Sequence, residues 1–431
     1  LEKIADVVCP FCGSCCDDIE VSVDANRVVD IRNACALGRE KLMGYNLERL
    51  TEPTLRIDGS PRTVSLEEAT AKAAAILANA KYPVLHGWGC TSCEATAVGL
   101  ELADRIGAVI DNVTTVCHGP SIAGVQDLGE ATCTLGEVKN RADLILYWGS
   151  NPVHAHPRHM ARYGPFSKGR FRGSRSERKL VVVDVRPTHA SKLADMFLQI
   201  PPNSDYEVLT ALRTLVKGHE LDLDTVAGVP VAQLEALADS MVDCEFGVLF
   251  FGVGLTMSAG KHQNVEAALS LVRDLNLRTK FAIVPMRGHF NVTGANQVFT
   301  WQTGYPFCVD LTHGYPRYSP GETSIVDIAL RRECDAALVV ASDPLAHFPA
   351  EASRGLAEAS LIAIDPHVTP TTALAQVAIP AAHVGIEAAG TVYRMDGVAL
   401  PLKELVDPPP GIRSDVEVLR MILHEVEEVK R

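Results

Sequence analysis

Three observations place this 431-residue chain in the α/β class, with doubly wound sheets and a small cysteine-rich module at its start. Strand-like and helix-like patterns alternate from Cys117 onward, as they do where helices cover parallel sheets. Several strand candidates end in small or polar residues, at the carboxyl ends where such sheets bind ligands. Five of the twelve cysteines fall within the first 35 residues. No leader-like segment opens the sequence, so these cysteines point to metal or redox sites rather than structural disulfides.

The cysteine-rich start reads Cys9-Pro-Phe-Cys12-Gly-Ser-Cys15-Cys16. Ile19–Asp24 and Arg27–Arg32 alternate apolar and polar residues around Ala25-Asn26, which predicts a hairpin. A hairpin returns the chain to its origin and lets Cys35 meet the first group. Cys9, Cys12, Cys16 and Cys35 then read C-x2-C-x3-C-x18-C, a four-thiolate set for a [4Fe–4S] cubane. Cys15 is the alternative to Cys16, and a four-cysteine zinc site is the rival reading.

After Glu52-Pro53, Ser65-Leu-Glu-Glu68 reads as a capping box that opens an alanine-rich helix to about Ala80. Pro83–Gly89 is a strand ending in glycines, and Ser92 caps a helix that stops at Gly107. Cys90-Thr-Ser-Cys93 has a redox-like spacing but no thioredoxin context.

Ala108–Val113 is apolar and β-branched, so it predicts a buried strand. Gly119-Pro120 is expected to break the chain, with Ser121 starting a short helical turn. Cys117 would then sit at a strand end, near free backbone N–H groups and beside His118. That setting favours the thiolate, which ligates soft metals or attacks as a nucleophile. A buried, inert cysteine is the bland alternative.

Further strands are predicted over 143–148, 180–184, 246–252, 280–284, 336–341 and 361–365, with a helix opened by a capping box at Ser204-Asp-Tyr-Glu207. Their ends carry Gly149-Ser150-Asn151-Pro152, Asp184-Val-Arg186-Pro187, Gly252-Val-Gly254, Ser342-Asp343-Pro344 and Asp365-Pro366. Five such ends, shared between two halves, predict two related nucleotide-binding crevices. None has G-x-G-x-x-G spacing, so a nicotinamide dinucleotide fits poorly. An amphipathic helix capped at Ser414, with Glu417 at its third position, closes the sequence.

Hydrophobic residues make up 47% and charged residues 22%, ordinary for a globular protein. No apolar run is long enough to span a bilayer, and a cytoplasmic location is expected. A formal charge of −13 argues against general nucleic-acid binding. Arg158 to Lys179 is the local exception, with eight Lys/Arg and one acid. It reads either as a solvated loop or as a clamp for phosphates or an acidic partner.

Taken together, these motifs resemble the molybdopterin-type oxidoreductases, the formate dehydrogenase and dimethyl sulfoxide reductase family, over nearly the whole chain. Within that family, the Cys-Pro-Phe-Cys-Gly-Ser-Cys-Cys-Asp-Asp start, the turn at Cys35-Ala-Leu-Gly38 and Val116-Cys-His-Gly-Pro120 are similar to the catalytic subunits of formylmethanofuran dehydrogenases. The resemblance implies an iron–sulfur domain over 1–52, one α/β pterin-binding domain over 53–113 plus 286–431, and another over 114–285. It implies a [4Fe–4S] cluster, molybdenum or tungsten, and two molybdopterin guanine dinucleotides. The reaction implied is reduction of carbon dioxide to formate.

By the same resemblance, Cys117 would ligate the metal, His118 follow it, and Arg287 anchor the substrate carboxylate. Gly149 to Pro152, Asp184, Arg186, Thr188, Gly252 and Gly254 would line one dinucleotide, with Asp205 reading its guanine. Ser342, Asp343, Pro344, His367, Thr369 and Thr371 would serve the second. Many relatives carry a lysine two residues after the fourth cluster cysteine; here that position is Leu37, with Arg39 and Lys41 as candidate substitutes. About forty residues follow Thr391, too few for the β-barrel of longer relatives. A small β-rich subunit is therefore expected to cover the pterins, beside an amidohydrolase-like subunit and iron–sulfur electron donors. The alternatives are a stand-alone type of formate dehydrogenase, a pterin-free iron–sulfur carrier that keeps the fold, and a zinc-binding scaffold.

Overall fold

A computed structural model describes residues 1–430. The chain divides into two compact units. The first comprises Leu1–Val116, His289–Arg394 and the residues from Ala399 on; the second comprises Cys117–Gly288 and Met395–Val398.

The first unit opens with a three-stranded antiparallel sheet, Glu2–Val7, Ile19–Asp24 and Arg27–Arg32. Ala25 and Asn26 both take positive φ at its tight turn, as the hairpin pattern predicts. The main sheet has nine strands. Five of them, in spatial order Val109–Asn112, Pro83–Gly87, Ala336–Val340, Ser360–Asp365 and Val377–Pro380, run parallel. In chain order this is 2-1-3-4-5, a doubly wound arrangement whose order reverses between Pro83–Gly87 and Ala336–Val340. Helices Leu66–Asn79, Cys93–Ile106, Val292–Thr303 and Asp415–Val429 bury their apolar stripes on one face. Ile325–Arg331 and Ala350–Ala357 cover the other.

The second unit holds five parallel strands in the order Met196–Gln199, Lys179–Asp184, Leu144–Trp148, Phe246–Phe251 and Lys280–Pro285. In chain order this is 3-2-1-4-5, and the reversal lies between Leu144–Trp148 and Phe246–Phe251. The two central strands, Leu144–Trp148 and Phe246–Phe251, are buried along their whole length because helices cover both faces. None of the sheets among the described residues closes into a barrel. No helix among them is long and apolar enough to cross a membrane.

Two local expectations are corrected. Ser204 makes no cap to its helix, Asp205–Val216, because its backbone (φ −101°, ψ 9°) lacks the extended geometry of an N-cap. Helix Gly119–Leu128 begins before Ser121, with Pro120 in its first turn. A proline there starts a helix rather than breaking it, since its missing N–H would have no helical partner anyway.

Candidate active site

Cys117 opens the second unit, and His118 is the N-cap residue of Gly119–Leu128. Thr256 Oγ1 donates to the Cys117 carbonyl at 3.0 Å, and the Gly288 amide faces its sulfur. The chain's own groups do not by themselves favour the thiolate that the motif suggests. Burial pushes the Cys117 thiol up, outweighing the Arg287 charge and the Gly288 N–H that favour the anion.

His118 is fully buried and held at both nitrogens. Its Nε2 lies 3.3 Å from the Met286 carbonyl and its Nδ1 2.8 Å from Ser121 Oγ. A carbonyl only accepts, so the proton sits on Nε2 and Nδ1 accepts from the serine. Burial, then the neighbouring Arg287 charge, lowers its pKa to about 3. The imidazole is therefore neutral. Arg287 is buried in turn, within electrostatic reach of Cys117, His118 and Glu130. Glu130, which no sequence motif marks, has a buried Oε1 without a partner and is pushed up to about 7 by burial, against the pull of Arg287.

In the same unit, Gly149-Ser150-Asn151-Pro152 turns off the end of Leu144–Trp148 beside Gly252 and Gly254, at the reversal point. The Gly149 amide donates to the Val183 carbonyl, placing Asp184 on the adjacent strand end, and Thr188 closes the next turn with Ser191. The Asp184 carboxylate accepts from the Arg186 amide. Asp205 is engaged within the protein, accepting from Trp148 Nε1 at 2.8 Å and Ser258 Oγ at 3.0 Å. Asn151 Oδ1 is buried without a hydrogen-bond partner. An orphaned acceptor on a glycine-lined loop, with Cys117 as a soft donor in the same unit, fits a sulfur-rich metal group carrying a nucleotide tail.

The other loops lie together in the first unit. Asp343 Oδ1 accepts from the Thr371 amide at 3.1 Å and its hydroxyl at 2.5 Å, joining Ser342–Pro344 to His367–Thr371. Thr369 caps the short helix Pro370–Leu374. A cavity of about 500 Å³ runs from Phe11 and Lys41 past His289 and His383 to Asp365 and His367. His383 Nε2 is buried there without a partner.

Cys9, Cys12, Cys16 and Cys35 are electrostatic neighbours; burial first, then the other three, pushes the Cys9 thiol well up. A Cβ on Gly38 would lie 3.4 Å from Cys9 Sγ and 3.5 Å from Cys35 Sγ, so this glycine floors the space between them. Cys15 faces elsewhere, its Sγ 3.2 Å from the Phe290 carbonyl among Val8, Val392 and Leu402. No three His, Cys, Asp or Glu side chains among the described residues converge as they would on a single ion. Arg39 is tied to the Ile31 carbonyl and Asp30, whereas Lys41 lies over the Phe11 ring at the cavity.

The molybdopterin oxidoreductase family model matches residues 49–425. The chain belongs to the molybdopterin oxidoreductase family. It is 50% identical to the B-type subunit of the tungsten-containing formylmethanofuran dehydrogenase 2 of Methanocaldococcus jannaschii, over 100% of both chains. The corresponding subunit of Methanococcus maripaludis is 46% identical over the same coverage. Among solved structures, acetylene hydratase from Pelobacter acetylenicus superposes with a TM-score of 0.75 at 14% identity, covering 98% of this chain and 69% of that one. A chain of the formyltransferase/hydrolase complex from Methylorubrum extorquens, solved with methylofuran, gives 0.70 at 23% identity, covering 88% and 99%. These two confirm the molybdopterin oxidoreductase fold.

Proposed function

We propose that this chain is the catalytic B-type subunit of a formylmethanofuran dehydrogenase, reducing carbon dioxide to formate. The observation that carries this reading is the grouping of Cys117, His118 and Arg287 as electrostatic neighbours in one unit, in a chain 50% identical to such a subunit end to end.

Cys117 would hold molybdenum or tungsten, already bound by the sulfurs of two pterin guanine dinucleotides. When bound, that group supplies two-electron redox chemistry at carbon. The chain's own residues supply the rest. Arg287 presents a planar cation that pairs with a carboxylate at two points. Neutral His118 holds a proton at Nε2, and its rigid pair of contacts keeps that atom in place. The strand-end loops of each unit would take one dinucleotide, and Asp205 keeps unused lone pairs for guanine. Cys9, Cys12, Cys16 and Cys35 would carry the [4Fe–4S] cluster. Lys41 is the residue that would link cluster and pterin, because Arg39 is already engaged. Formate would pass to an amidohydrolase-like subunit, with electrons from iron–sulfur partners.

The test uses the complex purified anaerobically. Cys117→Ala should abolish carbon dioxide reduction, while Cys9→Ser should remove or convert the cubane signal in the reduced protein's EPR spectrum and leave molybdenum or tungsten bound. An active Cys117→Ala complex sinks the proposal; an unchanged EPR spectrum sinks the cluster assignment. Copurification with a methanofuran-condensing subunit separates this reading from an ordinary formate dehydrogenase.

A further inference from the structure

Arg287 stands two residues beyond the end of Lys280–Pro285. The neighbouring strand pairs as far as Phe251↔Pro285, and the Met286 amide still reaches the Phe251 carbonyl at 2.8 Å. Past that point the ladder ends. The Arg287 carbonyl is thus a main-chain acceptor in a buried segment without a strand partner, and such a group is costly unless something else pairs with it.

One side chain pairs with it. His156 Nε2 lies 2.8 Å from the Arg287 carbonyl, and the His156 side chain is almost completely buried. His156 is locked in place by its own backbone. It closes the short helix Pro152–Ala155, with its amide donating to the Pro152 carbonyl at 2.9 Å and its carbonyl accepting from the His159 amide at 2.8 Å. The same loop touches the segment again at Ser150, whose Oγ lies 3.0 Å from Met286 Sδ. His118 Nε2 meets the Met286 carbonyl from a different helix. The two residues that end in the arginine are pinned from three directions, two of them belonging to the strand-end loop 149–156.

We infer that His156 is a positioning residue for Arg287, and that with Ser150 it makes the pose of this arginine depend on the loop that follows Leu144–Trp148. This rests on the reading of Arg287 as the carboxylate anchor. A bidentate contact with a carboxylate is directional, so a small displacement of the guanidinium weakens it steeply. The role asked of His156 is that of a fixed donor at Nε2. Neutral and protonated imidazole both donate there, so this bond is no pH switch, and a group that donates without titrating can replace it.

That point supplies the experiment, with the loaded complex oxidising formate to reduce a dye. His156→Gln keeps an N–H donor of similar reach and cannot carry a proton; His156→Leu has neither property. His156→Leu should raise KM for formate on the order of 10–100-fold with kcat less affected, and His156→Gln should stay within about threefold of wild type at every pH. Hydrogen exchange in the same preparations gives a readout apart from turnover. The Met286 and Arg287 amides should exchange about tenfold faster with leucine and not with glutamine.

If His156→Leu fails to assemble, His156→Asn, whose amide is too short to reach, should show the same rise in KM. Wild-type KM and exchange in the leucine or asparagine variant would overturn the inference. So would equal impairment with glutamine and leucine, since that would make the imidazole itself the requirement. Arg287→Ala is the control for the underlying reading. It should lose formate affinity whatever stands at 156, and an unchanged KM there would refute the anchor and not the positioning role.

Discussion

The loop after Leu144–Trp148 and the loop after Ala336–Val340 leave comparable strand ends, yet they are held by opposite means. The first is held by close backbone approach. Gly149 sits at φ 54°, Gly254 N–H donates to its carbonyl at 3.0 Å, and a Cβ on Gly254 would lie 2.7 Å from the Gly149 Cα. The second leaves its strand through Ala341, at φ 49°, and is held by one carboxylate, with Asp343 gripping the Thr371 amide and hydroxyl. A contact between backbones has no side chain to move aside, so it tolerates no added atom. A carboxylate contact depends on acceptor oxygens and survives any substitution that keeps them.

The sharpest break of this contrast is Gly149→Ala. The new Cβ would sit 2.8–2.9 Å from backbone atoms of Gly254 and Leu255, at a φ that L-residues resist. Overpacking plus left-handed strain should cost ~2–4 kcal/mol, read as a fall in the unfolding midpoint and loss of bound pterin. Asp343→Ala should cost less, ~1–3 kcal/mol, by stranding the two donors of Thr371. Asp343→Asn should recover most of that, because its amide oxygen still accepts both. If alanine at 149 were milder than alanine at 343, the contrast between the two loops would be wrong.

What the sequence made legible follows the same division. Interactions local in the chain were readable: the Ala25-Asn26 hairpin, the Ser65, Ser92 and Ser414 caps, and the apolar runs of eight of the ten parallel strands, all but Met196–Gln199 and Val377–Pro380. The short antiparallel edge Thr54–Ile57 and Ser60–Thr63 was not, because it is only four residues per strand, largely exposed apart from Leu55, and it joins the main sheet by pairing with the distant Val377–Pro380. Ser204 failed as a cap although its pattern was right. The adjoining Asp205 is drawn to Trp148 and Ser258, 57 and 53 residues away in the chain. In the candidate site, Cys117, His118 and Arg287 could be named from motifs. Glu130 and His156 could not, since nothing local marks them; their significance lies in which group each one faces. The Cys117 thiol departs from its expected direction for the same reason, because burial is a property of the whole fold.

The smallest expected effect tests how the carboxylate-held loop couples to its surroundings. Burial, and secondarily the Asp343 charge, pushes Asp365 up to about 7, against the His367 amide that it accepts at 2.8 Å. A carboxyl whose folded pKa lies above its unfolded value of 3.8 binds more protons when folded. Its contribution is therefore present in full below about pH 4 and is lost as the pH climbs through about 7. Asp365→Asn keeps the acceptor for His367 but cannot ionise, so its unfolding midpoint should fall less than that of wild type between those limits, by ~2–4 °C. Asp343→Asn removes the charge that helps hold Asp365 protonated, so it should move the decline to lower pH without removing it. In the second unit Glu130 is raised to a similar value, with Arg287 as its electrostatic neighbour in place of a second acid. Glu130→Gln should flatten the same window, and Asp343→Asn should leave that contribution untouched. An Asp365→Asn curve running parallel to wild type across the window would show that this carboxyl is ionised in the folded protein, against the direction that its burial imposes.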